Sequence, residues 1–304
     1  MTGSRGWRTR FAPAPTGWLH LGHVLNAITV WGMARAFGGS VVLRIEDHDR
    51  RRCKPEYEDG IREDLAWLGF IPDDEAPPQR AREDRYAERL GELESRDLVY
   101  PCQCSRRAIA GGSGERHREL VYPGSCRTRH LDSGCTAARR LRFEEEEQSF
   151  HDLRLGTISQ TPALQCGDLL VRDRDGQWTY QFAVTVDDMD QGIDLVIRGI
   201  DLLPSTGRQL QLARLLGRTR PLMFMHHALI RHDDGEKLSK SRGDTGVREL
   251  RAAGASAAEV IGAAAHAGGL VGRAAPLPAT DVSTLFAEGA FGSLPRFGAP
   301  EVRG

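Results

Sequence analysis

Between Trp7 and Asp47 the chain alternates two apolar periods, and this alternation restricts the fold before composition is consulted. WRTRFAP reads as a short strand and PAPTGWLHLG as a loop punctuated by Pro and Gly. Val24, Leu25, Ile28 and Trp31 fit a helix over 21–37 that closes at Gly38-Gly39. SVVLRIED is a β-branched, buried-type strand that ends in two carboxylates. Pro55 suits the first turn of the next helix, whose Tyr57, Ile61, Leu65 and Leu68 share one face before Gly69. Strand and helix in alternation need crossover connections, so the expected class is α/β with a parallel sheet.

From about Tyr100 the pattern changes. CQCSRRAIAGGSGERHRELVYPGSC is Gly-rich, Cys-bearing and weakly periodic, which suggests an inserted, metal-braced module. The run Glu144–Glu147 reads as a solvated face. GDLLVRDRDGQWTYQFAVTVDD carries a hairpin signal, two β-rich runs around Asp175-Gly176. IDLVIRG and LMFMHHALI read as strands, and Ser205 to Gly217 as a capped helix. The expected division is 1–99 for the first half of a catalytic domain and 100–166 for the insertion. Residues 167–270 then form the second half, and 271–304 an Ala/Gly/Pro-rich disordered tail.

Lys plus Arg (41) balances Asp plus Glu (42) over 304 residues, which removes the simplest argument for a nucleic-acid partner without excluding a basic face. No apolar run approaches the ~20 residues of a membrane span, and no export signal precedes the first strand, so a cytoplasmic monomer is expected. In that setting six cysteines suggest bound metal or free thiols rather than disulfides, with Cys53 and Cys166 as packed thiols.

Two segments carry chemistry. His20 and His23 flank Leu21-Gly22 in the loop before the first helix, at the carboxyl end of a strand, where α/β sheets bind ligands. A helix N-terminus there favours phosphate, and Gly22 leaves the backbone open to a flat group. The plainer reading has both histidines capping or packing. Far downstream, Lys237 and Lys240 in KLSKS suit a mobile clamp on a triphosphate, or simply a solvated basic turn.

Taken together and in this order, HLGH and KLSKS resemble the two signatures of class I aminoacyl-tRNA synthetases. RFAPAPTGWLHLGH, LRIEDHD, WTYQFAVTVDD, LVIRGIDLL and HHALIRHDDGEKLSKS look like the glutamyl/glutaminyl branch, over roughly residues 10–243. The resemblance implies a Rossmann-like catalytic domain that joins glutamate to the α-phosphate of ATP, with Mg2+, and expels pyrophosphate. His20, Gly22 and His23 would then meet the phosphates, with Lys237 and Lys240 closing over them. His20, His23 and Lys240 would be catalytic. Arg10 and Arg198 can each grip a carboxylate of L-glutamate, Glu46 can take its ammonium, and Tyr180 adds a neutral bond. Residues 10–14 (Arg10, Phe11, Ala12, Pro13 and Ala14) would run along the aminoacyl group. Ala14 stands where the family usually has serine, so one hydroxyl is missing. A blander reading makes Arg10 and Arg198 strand-edge arginines paired with nearby carboxylates.

Only about 60 residues follow Ser241. This layout, without room for the usual anticodon reader, resembles the stand-alone glutamyl-queuosine tRNA(Asp) synthetases, which place glutamate on the queuosine base of tRNA(Asp). Cys102, Cys104, Tyr122 and Cys126 match that family's zinc site, with Cys135 or His117 as the chemically more ordinary fourth ligand. Other outcomes in view are a truncated ligase acting on a tRNA 3′ end or another acceptor, and an inactive tRNA-binding paralogue.

Overall fold

A computed structural model describes residues 6–110, 120–129, 131, 136–230 and 246–286. The chain runs β1 (Arg8–Phe11), α1 (Leu21–Ala36), β2 (Ser40–Leu43), α2 (Pro55–Leu68), β3 (Asp74–Glu75), α3 (Glu83–Glu94) and β4 (Val99–Cys102). It continues through α4 (Arg106–Ile109), β5 (Ala138–Leu141), β6 (Gln148–Asp152), β7 (Gly156–Gln160), α5 (Pro162–Cys166) and β8 (Leu169–Arg172). Then come α6 (Tyr180–Asp190), β9 (Leu195–Gly199), α7 (Thr206–Leu215), β10 (Met223–His227), α8 (Val247–Ala252) and α9 (Ala257–Ala267).

The expected parallel sheet is present. β1 pairs with β2 in parallel from Arg8↔Ser40 to Phe11↔Leu43, and β2 pairs with β3. β9 pairs in parallel with β10, which takes β6 on its other side at Phe224↔Asp152. The two groups are stitched together because the Asp194 N–H donates to Arg8 O, while the Arg8 N–H donates to the Asp194 carboxylate. A small antiparallel sheet, β4-β5-β8, stands apart.

α1 is buried from Val24 through Ala34 apart from Asn26, the behaviour of a helix enclosed on nearly every side. Trp31 lies between Phe11 and Phe70, with ring centroids 5.4 and 5.2 Å away. α2 begins at Pro55 and ends on Gly69 at φ +86°, as its sequence implies, and buries Ile61, Leu65 and Leu68.

Three expectations are corrected. The run after Asp175-Gly176 is not the second arm of a hairpin: beyond an isolated bridge, Arg172↔Trp178, it becomes helix α6. Its β-branched residues misled because α6 is buried continuously from Phe182 to Asp188, and packing overrides intrinsic preference there. Phe182 stacks on Trp178 at 5.2 Å. The boundaries at 99/100 and 166/167 do not follow the sheets either. β4 and β8 belong with β5, whereas β6 joins the main sheet beside β10.

The third correction concerns the tail, of which Ala279–Phe286 is helical and packed. A 3-10 helix over Ala279–Phe286 lays Val282 and Phe286, both 0% exposed, against α1. A Cβ on Gly32 would sit 2.3 Å from the Phe286 ring, so the glycine is what lets the two segments touch. The sparse apolar pattern hid this contact because one aromatic ring fills one glycine notch. Residues 287–304 lie outside the described residues.

Phe286→Ala should therefore cost about 3–5 kcal/mol, as for other buried aromatic truncations. Urea unfolding checks this, and a change below about 1 kcal/mol would mean the terminal segment is not docked.

Candidate active site

The carboxyl ends of β1, β2, β9 and β10 open on one cavity of about 350 Å3. This is the place where parallel α/β sheets bind ligands, because crossovers leave a crevice beyond the strand ends. Its lining includes the whole Arg10–Ala14 segment, His20, Gly22, His23, Glu46, Tyr180 and Arg198. Every site residue expected from the sequence, apart from the two lysines and the metal ligands, thus meets here. Lys237 and Lys240 lie outside the described residues. The flanks of their segment are held at the cavity: Ile230 lines it, and Gly246 forms a bridge with His20.

His20 and His23 both cap α1. His20 Nδ1 accepts the Gly22 N–H at 3.1 Å, and His23 Nδ1 accepts the His20 N–H at 3.2 Å. An Nδ1 that accepts leaves the proton of a neutral ring on Nε2. Capping and phosphate contact are therefore compatible, since the caps turn both Nε2 atoms into donors. A Cβ on Gly22 would stand 2.9 Å from His20 Cε1. The glycine protects the capping geometry of His20 as well as leaving the backbone open.

Beneath the cavity floor lies a buried ionic cluster that the sequence reading did not assemble. Arg44, 0% exposed, donates to Asp188 at 2.6 Å and to Glu46 at 3.1 Å, with Asp187 3.9 Å away. Burial alone would lower the Arg44 pKa, but Asp188, Glu46 and Asp187 more than reverse this. Asp188 also accepts from Arg10 Nε at 3.2 Å. Burial acts to raise the Asp188 pKa, yet Arg44 and Arg10 hold it below the usual carboxylate value. Glu46 behaves oppositely. Burial raises its pKa against the pull of Arg44, Arg10 and His48. A cation arriving at Glu46 would relieve that cost.

Arg198 differs from Arg10. It is 3% exposed, and its partners are neutral: His226 Nε2 at 3.1 Å from Nε, Gln209 Oε1 at 2.7 Å from Nη1 and Thr206 Oγ1 at 2.8 Å from Nη2. Among the described residues no carboxylate stands within 4.0 Å of it. Burial pulls its pKa down. Arg10 thus contacts a carboxylate while lining the cavity, whereas Arg198 lines it without one among the described residues.

The class I (E and Q) tRNA synthetase catalytic-domain model matches residues 7–256. A Glutamyl-Q tRNA(Asp) synthetase of Burkholderia cenocepacia is 40% identical over 82% of this chain and 87% of its own length. The chain belongs to the class I (E and Q) tRNA synthetase family. A second relative with the same description, from Cupriavidus metallidurans, is 42% identical over 79% of each chain. A solved glutamate tRNA ligase from Elizabethkingia meningosepticum, in complex with its amino acid, superposes with TM-score 0.72 at 27% identity. That likeness covers 85% of this chain but spans only 60% of the ligase. Among the described residues no helix is long and apolar enough to cross a membrane.

This member of the family also holds a cysteine cluster beside its small antiparallel sheet. The Cys102, Cys104 and Cys126 sulfurs all lie within 4.8 Å of one another, with Cys104 and Cys126 at 3.6 Å. Tetrahedral zinc with 2.3 Å bonds would space its sulfurs at about 3.8 Å, so the cluster fits. Tyr122 OH lies 3.4 Å from Cys102 Sγ and accepts the Cys126 N–H at 2.8 Å, which places a fourth oxygen at the cluster. Cys135 and His117 lie outside the described residues. Cys53 is half-buried and Cys166 buried, with the Cys166 thiol donating to Pro162 O at 3.3 Å.

Sequence reasoning missed Arg44, Asp187, Asp188, His226 and the cavity residues Asn26 and His227. Arg44 stood in LRIED and the two aspartates in VTVDD, both quoted motifs, but nothing in one dimension pairs them.

Arg44→Met should destabilise the protein by about 3–5 kcal/mol, because it leaves buried carboxylates without their cation. Arg8→Met, which breaks a partly exposed pair with Asp74, should cost less than about 1 kcal/mol. Denaturant melts of the two variants decide it. The Asp188 contribution is full at neutral pH and is lost only as pH falls through its depressed pKa, so the gap should narrow in acid.

Proposed function

We propose that this protein activates L-glutamate with ATP and Mg2+ to glutamyl-adenylate and transfers the glutamate to the queuosine base at the wobble position of tRNA(Asp). The observation that carries the glutamate half is Arg198, a buried guanidinium at a cavity wall with no carboxylate in contact among the described residues. A substrate carboxylate supplies the missing charge. Arg10 and Glu46 complete a set suited to two carboxylates and one ammonium, and Tyr180 adds a neutral donor. Glutamine in the same place would offer Arg198 an amide, whose NH2 faces a donor.

In this reading the Nε2–H groups of His20 and His23 donate to the phosphates at the N-terminus of α1, where the helix field is also positive. Lys240 closes over the same phosphates and Lys237 assists it. As negative charge grows on the phosphorane, such aimed donors are each worth ~10²–10³ in rate. The queuosine acceptor rests on the relatives' descriptions, Glutamyl-Q tRNA(Asp) synthetase, at about two-fifths identity over most of both chains. Cys102, Cys104, Cys126 and Tyr122 would hold one structural zinc that ties residues 120–126 to β4.

Pyrophosphate exchange into ATP should proceed with glutamate and without tRNA, and Arg198→Ala should lower kcat/KM for glutamate by ~10²-fold or more. No exchange in the presence or absence of tRNA would sink the ligase reading. Exchange only with tRNA would favour a truncated ligase acting on a tRNA 3′ end. Mass spectrometry of tRNA(Asp) nucleosides tests the acceptor, with glutamyl-queuosine as the required product. Since Glu46 must be ionised to hold an ammonium, glutamate affinity should weaken as pH falls through its raised pKa. Metal analysis should find about one zinc per chain, lost in Cys126→Ser. Full retention in Tyr122→Phe would move the fourth ligand to Cys135 or His117.

A further inference from the structure

We infer that Asp152 and His226 form a relay that positions Arg198 through a neutral group, and that this relay sets the preference for a carboxylate over an amide. The inference rests on the glutamate reading above. His226, on β10, is 0% exposed and makes two side-chain bonds in line. Its Nδ1 lies 2.6 Å from Asp152 Oδ2, and its Nε2 lies 3.1 Å from Arg198 Nε.

The protonation pattern follows from the partners. A guanidinium Nε can only donate, so His226 Nε2 must accept. The ring proton is then on Nδ1 and is donated to Asp152. The imidazole is neutral, and burial holds its pKa below the ordinary value although Asp152 opposes this. The Thr206 hydroxyl accepts from Arg198 Nη2 and sits 3.3 Å from the same Nε2, where its own proton can be placed. Asp152 is satisfied locally: it accepts the backbone N–H of Arg154, Leu155 and His226 at 2.9–3.0 Å.

This arrangement separates two things that a direct ion pair would combine. A carboxylate at Arg198 Nε would fix the guanidinium and also cancel its charge, as Asp188 partly does for Arg10. An imidazole fixes the plane of the guanidinium while leaving its charge for the ligand. The other partners of Arg198, Gln209 and Tyr180, are neutral too. Arg198 is thereby oriented on all three nitrogens without being neutralised on any of them. Asp152 acts at one remove, because it holds the imidazole in the tautomer that can accept. Both are positioning residues.

The test uses the full chain and pyrophosphate exchange with L-glutamate and L-glutamine. His226→Gln can still present an acceptor to Arg198 but loses Asp152. Its KM for glutamate should rise about 3–10-fold, with kcat within about twofold, and Asp152→Asn should match it. His226→Glu puts a carboxylate on Arg198 Nε, and Gln209→Glu puts one on Nη1 without touching the relay. In both, the glutamate-over-glutamine ratio of kcat/KM should fall by at least ~10-fold. Gln209→Glu keeps the charge argument testable if His226→Glu does not fold. Wild-type KM in both His226→Gln and Asp152→Asn would overturn the relay while leaving the glutamate reading intact. Unchanged selectivity in Gln209→Glu would overturn the charge argument. A wild-type protein with no glutamate-dependent exchange would remove the reading and the relay together.

Discussion

The contact on which the rest of the site depends is Arg44 against Asp188. Arg44 continues the line of β2, and Asp188 sits on α6, so one buried 2.6 Å ion pair fastens the first half of the sheet to the helix that precedes β9. A fully buried cation is costly to desolvate, and the arrangement is tolerable only because three carboxylates surround it. Those same carboxylates have further tasks. Asp188 takes Arg10, Asp187 takes Gln79, Arg82 and Tyr86, and Glu46 faces the cavity. The position of each pocket charge is thus inherited from a neighbour that never meets the ligand.

The two arginines of the pocket show how charge is rationed by this network. Arg10 has a contacting carboxylate and Arg198 has none among the described residues, although both are equally buried. Glu46 illustrates the converse, since burial raises its pKa against the pull of Arg44, Arg10 and His48. Under the glutamate proposal, the amino-acid zwitterion with its extra carboxylate brings opposite charge to both Arg198 and Glu46.

How much of this could be read in advance depends on range. Strand-loop-helix order and the start of α2 at Pro55 are local, and local chemistry announced them. The cavity wall from Arg10 to Ala14 and the distant Arg198 were reached through motif resemblance rather than through pattern, because no periodicity links β1 to β9. What escaped was non-local and one-off. Helix α6 reads as strand because its packing lies on all sides, and Phe286 looks like tail because its partner is a single glycine in α1. The relay through His226 needed β6 to return beside β10, which the expected division had assigned to an insertion.

That return of β6 ties the segment between β4 and β8 to the pocket wall. β6 delivers Asp152 at its last residue, where the strand turns and three backbone N–H groups converge on the carboxylate. A charge held so completely by local amides moves little, which makes it a good anchor for a neighbouring ring. The ring then carries orientation, not charge, to Arg198. The cysteine cluster and the aspartate anchor sit on either side of β5, on the same stretch of chain between β4 and β8. Asp152 is thus where this stretch of chain meets the ring that contacts Arg198.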